Sequence, residues 1–127
     1  MTSVAQVRSE LFLADATTKN VLVHNGRLSG IVDVDTVCYG DPLFALALTR
    51  AASTACGFDS VYVDAWRDLL ELEDEQLVAL SFYTALFCLD LLSEAGHCFN
   101  RPLSVTSSAA RTKRLHHLFD YELRRIT

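Results

Sequence analysis

The sequence predicts a mixed α+β domain, mostly α, with a short β-hairpin near its start followed by about four helices. Three observations carry this expectation. β-Branched residues lie on both sides of Asn25-Gly26. From Pro42 nearly to the end, apolar residues recur at helical spacing. The chain has 127 residues, half of them hydrophobic and 21% charged, which suits one folded core. Residues 1–127 are accordingly read as a single domain.

Each element has a local reason. "ELFL", residues 10 to 13, is a short strand feeding the polar loop "ADATTK". "NVLVHNGRLSGIVDV" is a hairpin, because Asn-Gly is the commonest pair in a two-residue type I′ turn. "GDPLFALALTRAA" opens the first helix, with Asp41 placed to cap it and Pro42 suited to its first position. "SVYVDAWRDLLEL" is the second helix, capped by Ser60 or Asp59. The third, "EDEQLVALSFYTALFCLDLLSEAG", begins with acids that complement its dipole and ends at Gly96. It is apolar almost all round and so reads as the central buried helix. After a loop containing Pro102, "SAARTKRLHHLFDYELRRI" closes the fold as an amphipathic helix.

The charge balance narrows the partners. Net charge is −5, and no basic run exceeds the Lys113-Arg114 and Arg124-Arg125 pairs, which argues against nucleic acid and anionic membranes. A cationic or neutral small molecule is the better match. The N-terminus has no apolar stretch of signal-peptide length. Leu77 to Leu92 is interrupted by Ser81, Thr84 and Asp90 and reads as too short to span a membrane. Cys38, Cys56, Cys88 and Cys98 form no C-x-x-C pair and are expected to be buried free thiols. Together these features predict a cytoplasmic protein.

The hairpin concentrates the chemistry. A turn at Asn25-Gly26 sets His24 opposite Arg27, Val23 opposite Leu28 and, counting back, Asn20 opposite Ile31. Alternation then puts Asp33 on the face of Ile31 and Asn20, with diagonal neighbours roughly 7–8 Å apart. Oxygen ligands from Asn20 and Asp33 suit Mg²⁺, which keeps positions for water and phosphate. Asp15 lies at the mouth of the same loop, placed to accept a proton from a hydroxyl nucleophile. Asp35 either extends the metal site or faces solvent. Taken singly, each of these residues is an ordinary turn or cap residue.

"DATTKNVLVHNGRLSGIVDVDTVCYGDPLFALA" resembles the catalytic core of the aminoglycoside phosphotransferase/choline kinase family, relatives of the protein kinases. That family carries H-x-D-x-x-x-x-N, a hairpin, an I-D-[FW]-type metal-binding aspartate and G-D-P-x-x-D-L-A. The resemblance runs from about Leu11 onward and implies a kinase-like C-lobe. It also implies Asp15 as catalytic base, Asn20 and Asp33 as metal ligands, and Lys19 as the loop cation that meets the transferred phosphate. The cofactor implied is Mg²⁺ carried with ATP, and the activity is transfer of the γ-phosphate to a small hydroxylated substrate.

Departures from the family pattern shape the rest of the expectation. Leu13 stands at the loop histidine and Ala45 at the D-L-A aspartate, so an apolar contact is expected where the family has a polar one. The only lysines are Lys19 and Lys113, and neither suits the strand lysine of the family's N-terminal lobe. The chain is therefore expected to be a C-lobe without its N-lobe, either completed by a partner chain or a fragment of a longer kinase. Alternatively it is a non-catalytic remnant acting as a binding or dimerisation module, and uncovered apolar strands point to a homodimer. Glu71, Glu73, Asp74 and Glu75 are read as the start of the third helix rather than a cation site. Trp66, Tyr62 and Tyr83 are read as core aromatics.

Overall fold

The structure is a computed structural model and describes residues 9–94 and 105–127. It has four short strands followed by four helices: β1 Glu10–Leu13, β2 Val21–His24, β3 Arg27–Ile31, β4 Val37–Gly40, α1 Leu43–Cys56, α2 Val61–Leu69, α3 Asp74–Glu94 and α4 Val105–Ile126. One turn of 3-10 helix, Thr18–Asn20, precedes β2. The mostly helical α+β class is thus the one observed. Gly96, Cys98 and Pro102 lie outside the described residues.

The strands form two antiparallel pairs, β1 with β4 and β2 with β3. β4 was not expected. Its four residues, "VCYG", are too few to carry a periodic signal, and they become a strand by pairing with β1 at Leu11–Tyr39 and Leu13–Val37. The other face of this ladder turns Phe12 toward α1, where its ring lies 6.4 Å from that of Phe44. The β2–β3 turn has the expected type I′ signature, with positive φ at both Asn25 (50°) and Gly26 (71°).

The helices begin where their caps dictate. Leu43 N–H donates to Asp41 Oδ1 (3.0 Å), and Pro42 already has helical torsions. Val61 N–H donates to Asp59 Oδ1 (3.2 Å), so Asp59 rather than Ser60 caps α2. α1 ends in a Schellman arrangement, with Gly57 left-handed at φ 77° and its N–H bonded to Thr54 O while Phe58 N–H reaches Ser53 O. Asp74 and Glu75 occupy the first turn of α3, as their charge requires.

α3 packs against both α1 and α4. The core forms two clusters along that seam. One contains Leu46, Ala47, Val63 and Leu80, with Trp66 and Tyr83 packed against it. The other contains Ala51, Ala55, Cys88 and Leu115. α3 is not buried all round as expected: Leu80, Ser81, Thr84, Ala85 and Cys88 face inward, whereas Val78, Phe82, Leu86 and Leu89 are exposed. Its length and mean hydropathy of 1.6 also make it long and apolar enough to cross a membrane, contrary to expectation. Ser81 and Thr84 do not interrupt it, because Thr84 donates its hydroxyl to Leu80 O (2.7 Å) inside the helix. Cys38, Cys56 and Cys88 are free thiols, but only Cys88 is buried.

Candidate active site

The candidate site lies where the loop after β1 meets the turn after β3. Ala14 N–H donates to Thr36 O (3.0 Å), extending the β1–β4 ladder by one step and fixing where Asp15 leaves it. Asp15 is partly buried. Its Oδ1 accepts from the Thr17 hydroxyl (2.6 Å), and its Oδ2 pairs with Lys19 Nζ (3.1 Å). Burial disfavours the charged carboxylate, but the hydrogen bonds from Thr17 and Lys19 outweigh it and hold Asp15 below the ordinary aspartate range.

Asn20 closes this loop. It is 5% exposed, and its Nδ2 donates to the backbone carbonyl of Asp15 (3.1 Å). Its own N–H bonds to Thr17 O (2.9 Å) and its carbonyl accepts from Val32 N–H (2.9 Å). Using the amide nitrogen against Asp15 leaves Oδ1 as the atom that could accept or ligate. From outside the loop, the Tyr62 hydroxyl on α2 donates to Ala16 O (3.2 Å). Sequence reasoning missed both Thr17 and this role of Tyr62. The first had a signal: a threonine two residues after an aspartate is the spacing of an Asx turn. The second joins residues 46 apart and had none.

The hairpin register differs from the expected one. Val23 pairs with Leu28 but Leu22 pairs with Gly30, so Ser29 is an extra residue and the ladder slips by one. Val21, not Asn20, then faces Ile31. The slip is stabilised by the Ser29 hydroxyl, which donates to Leu22 O (3.2 Å). Strict alternation would now turn Asp33 away from Asn20. β3 ends at Ile31, however, and Asp33 adopts a left-handed φ of 59° that re-aims its side chain.

Asp33 is exposed, beside Asp35. A hydrogen bond and charge repulsion with Asp35 push Asp33 above the ordinary aspartate range, Asp15 adds to the repulsion and Lys19 opposes it. The structure therefore brings Asp15, Lys19 and Asn20 into direct contact, and Asp33, beside Asp35, into electrostatic reach of Asp15 and Lys19. The donor set fits Mg²⁺: crowded exposed carboxylates plus an amide oxygen are hard ligands whose mutual repulsion a divalent cation would relieve. Among the described residues there is no group of three or more His, Cys, Asp or Glu that could hold a metal on its own. Such a set matches an ion shared with phosphate rather than a closed protein cage.

The two substituted family positions are compatible with the fold. Leu13 is half-buried and Ala45 buried. Among the described residues, the only buried side-chain atoms without a hydrogen-bond partner belong to Glu122, on α4. Replacing a polar pair by Leu13 and Ala45 together leaves no orphan behind.

No curated protein and no solved structure matches the chain. The model of the phosphotransferase enzyme family matches residues 4–81, more than half the chain and the whole of the loop, hairpin and acidic turn described above, and the chain belongs to that family.

Proposed function

We propose that this kinase-like phosphotransferase domain forms the acceptor-side wall of a small-molecule kinase, transferring the γ-phosphate of ATP to a hydroxyl group. The observation that carries this reading is the closed Asp15–Asn20 loop, with the Asn20 amide nitrogen held on the Asp15 carbonyl and Asp33 in electrostatic reach. Asp15 orients the acceptor hydroxyl and takes its proton. The acceptor oxygen bonds to the γ-phosphorus as the bond to the β–γ bridging oxygen breaks, and ADP leaves. Asn20 and Asp33 are the residues that would hold Mg²⁺, which supplies charge neutralisation of the phosphates. Lys19 exchanges its Asp15 partner for the transferred phosphate. Phosphoryl transfer relies on positioning and charge stabilisation, so a second wall over the nucleotide completes the enzyme, contributed by a partner chain or by further sequence.

The test is calorimetric titration of the protein with ATP, with and without Mg²⁺, beside Asp33→Asn and Asn20→Ala variants whose folding is checked by circular dichroism. The expected result is Mg²⁺-dependent binding that both variants lose. Absence of any Mg²⁺-dependent heat at millimolar nucleotide would overturn the reading.

A further inference from the structure

A cavity of about 280 Å³ opens beside the catalytic loop, between that loop and the helices. Asp15 and Lys19 stand in its wall, and among the described residues they are its only charged ones. They are paired with each other at 3.1 Å, so the described wall presents no surplus of either charge. The remainder is mainly apolar. Leu48, Ala52 and Cys56 of α1 lie at i, i+4 and i+8, which places them on one helix face. Leu91 of α3 and Phe58, just beyond α1, complete the wall.

This chemistry discriminates between acceptors. A polycationic aminosugar needs carboxylates or carbonyls around each ammonium, because a desolvated unpaired charge is costly. Among the described residues of the wall one carboxylate is available, already shared with Lys19 and Thr17. A neutral molecule with an apolar body and one hydroxyl matches it better. The body covers Leu48, Ala52 and Leu91 while the hydroxyl reaches Asp15 at the polar end. The volume holds roughly ten water-sized groups, which sets the scale of that body.

We infer that the acceptor is a small neutral alcohol with an apolar body, seated on the α1 face formed by Leu48, Ala52 and Cys56. The inference rests on the phosphotransferase reading for the fate of the hydroxyl, but occupancy of the cavity is measured without nucleotide.

Cys56 provides the reporter, being a free, exposed thiol in the cavity wall, and Cys38 is an exposed thiol outside it. Iodoacetamide labelling of the intact protein is followed peptide by peptide by mass spectrometry, with 2-phenylethanol or with glucosamine as the probe. The alcohol is expected to slow labelling of Cys56 by about tenfold once present at roughly ten times its Kd, and to leave Cys38 unchanged. Glucosamine is expected to protect neither. Protection by glucosamine equal to or above that by the alcohol, equal slowing of Cys38, or no protection by the alcohol up to its solubility overturns the inference. Protection of Cys56 without Mg²⁺-dependent ATP binding would retain the cavity's ligand class and reject the transfer reaction. Nucleotide binding without protection would do the reverse.

Discussion

Arg50 on α1 places Nη2 2.6 Å from Oε1 of Glu122 on α4, and Glu122 is fully buried. Beyond this ion pair, neither Glu122 carboxylate oxygen has a hydrogen-bond partner among the described residues. The attraction therefore depends on charge alone, in a place where charge is costly to desolvate. Removing only the cation should be severe: Arg50→Met is expected to cost about 3–5 kcal/mol in urea unfolding. The double variant Arg50→Met/Glu122→Leu should recover most of that loss. If the double variant is as unstable as the single one, packing rather than the isolated carboxylate is responsible.

Arg114 reaches from α4 to the end of α1. Its Nη2 donates to Ala55 O (2.7 Å), a carbonyl at the helix end, and its Nε to Thr54 O (3.0 Å), which also accepts the Gly57 N–H of the cap. Gly57 lies beneath it, and a Cβ there would sit 3.3 Å from Arg114 Cζ on a backbone with φ 77°. Arg114→Ala is expected to cost about 1.5–3 kcal/mol, and Gly57→Ala at least about 1 kcal/mol. The two are coupled. In the Arg114→Ala background the Gly57→Ala penalty should shrink to its torsional part, and strict additivity in a double-mutant cycle would refute the contact.

Cys88 is buried between α1 and α4, and burial, assisted by the Glu122 charge and opposed by Arg50, pushes its thiol up to about 11 from an ordinary 9.0. The unfolded chain therefore gives up this proton first as pH rises. The stabilising contribution is complete below pH 9.0 and is lost as pH rises toward about 11. Wild-type stability should fall more steeply over that interval than that of Cys88→Ala. At pH 8 iodoacetamide should label Cys38 and Cys56 in the native protein and spare Cys88. Equal labelling of all three would contradict the burial.

What could be read in advance depended on the range of the interaction. Asn25-Gly26, Asp41-Pro42 and the Asp59-Ser60 pair act within a few residues, so the turn and two helix starts were legible from local sequence, though not which of Asp59 and Ser60 caps α2. The site motif was legible for the same reason, since Asp15, Lys19 and Asn20 lie within one loop. The register was not, because a single extra residue, Ser29, shifts everything beyond it, and a two-residue turn says nothing about a bulge farther along. Asp33 meets the site by a left-handed torsion rather than by strand alternation, so its predicted position rested on the wrong geometry. β4, the Tyr62–Ala16 bond and the Arg50–Glu122 pair all join distant segments and were invisible for that reason. The exposed face of α3 was misjudged because apolar composition reports the tendency to be buried, not whether a partner element is there.

The β1–β4 ladder carries apolar side chains on both faces. Phe12 packs toward α1, while Leu11 and Tyr39, directly paired, are 75% and 73% exposed. Side chains of this size grouped on one ladder favour association in water. Light scattering at tens of micromolar is expected to show self-association of the wild type. Leu11→Lys/Tyr39→Lys should reduce it while leaving the far-ultraviolet circular dichroism unchanged. A wild type that is monomeric at that concentration would reject this use of the ladder.

Asp33 combines a left-handed φ of 59° with an acidic neighbour, Asp35, that repels it. Both features act against the folded state, and both are concentrated at the residue proposed above to ligate Mg²⁺. Strain kept at a ligand position is intelligible when the ligand needs that orientation. Asp33→Gly should relax the torsion and remove the repulsion, raising Tm by a few degrees in the absence of metal. Asp33→Asn should retain the torsion, which asparagine tolerates, and raise Tm by less. Asp33→Val should lower it, because a β-branched residue fits this torsion badly. Added Mg²⁺ should raise the Tm of the wild type and of none of the three variants. A lower Tm for Asp33→Gly than for the wild type would mean that the aspartate is retained for folding, and the case for a metal ligand at this turn would fall with it.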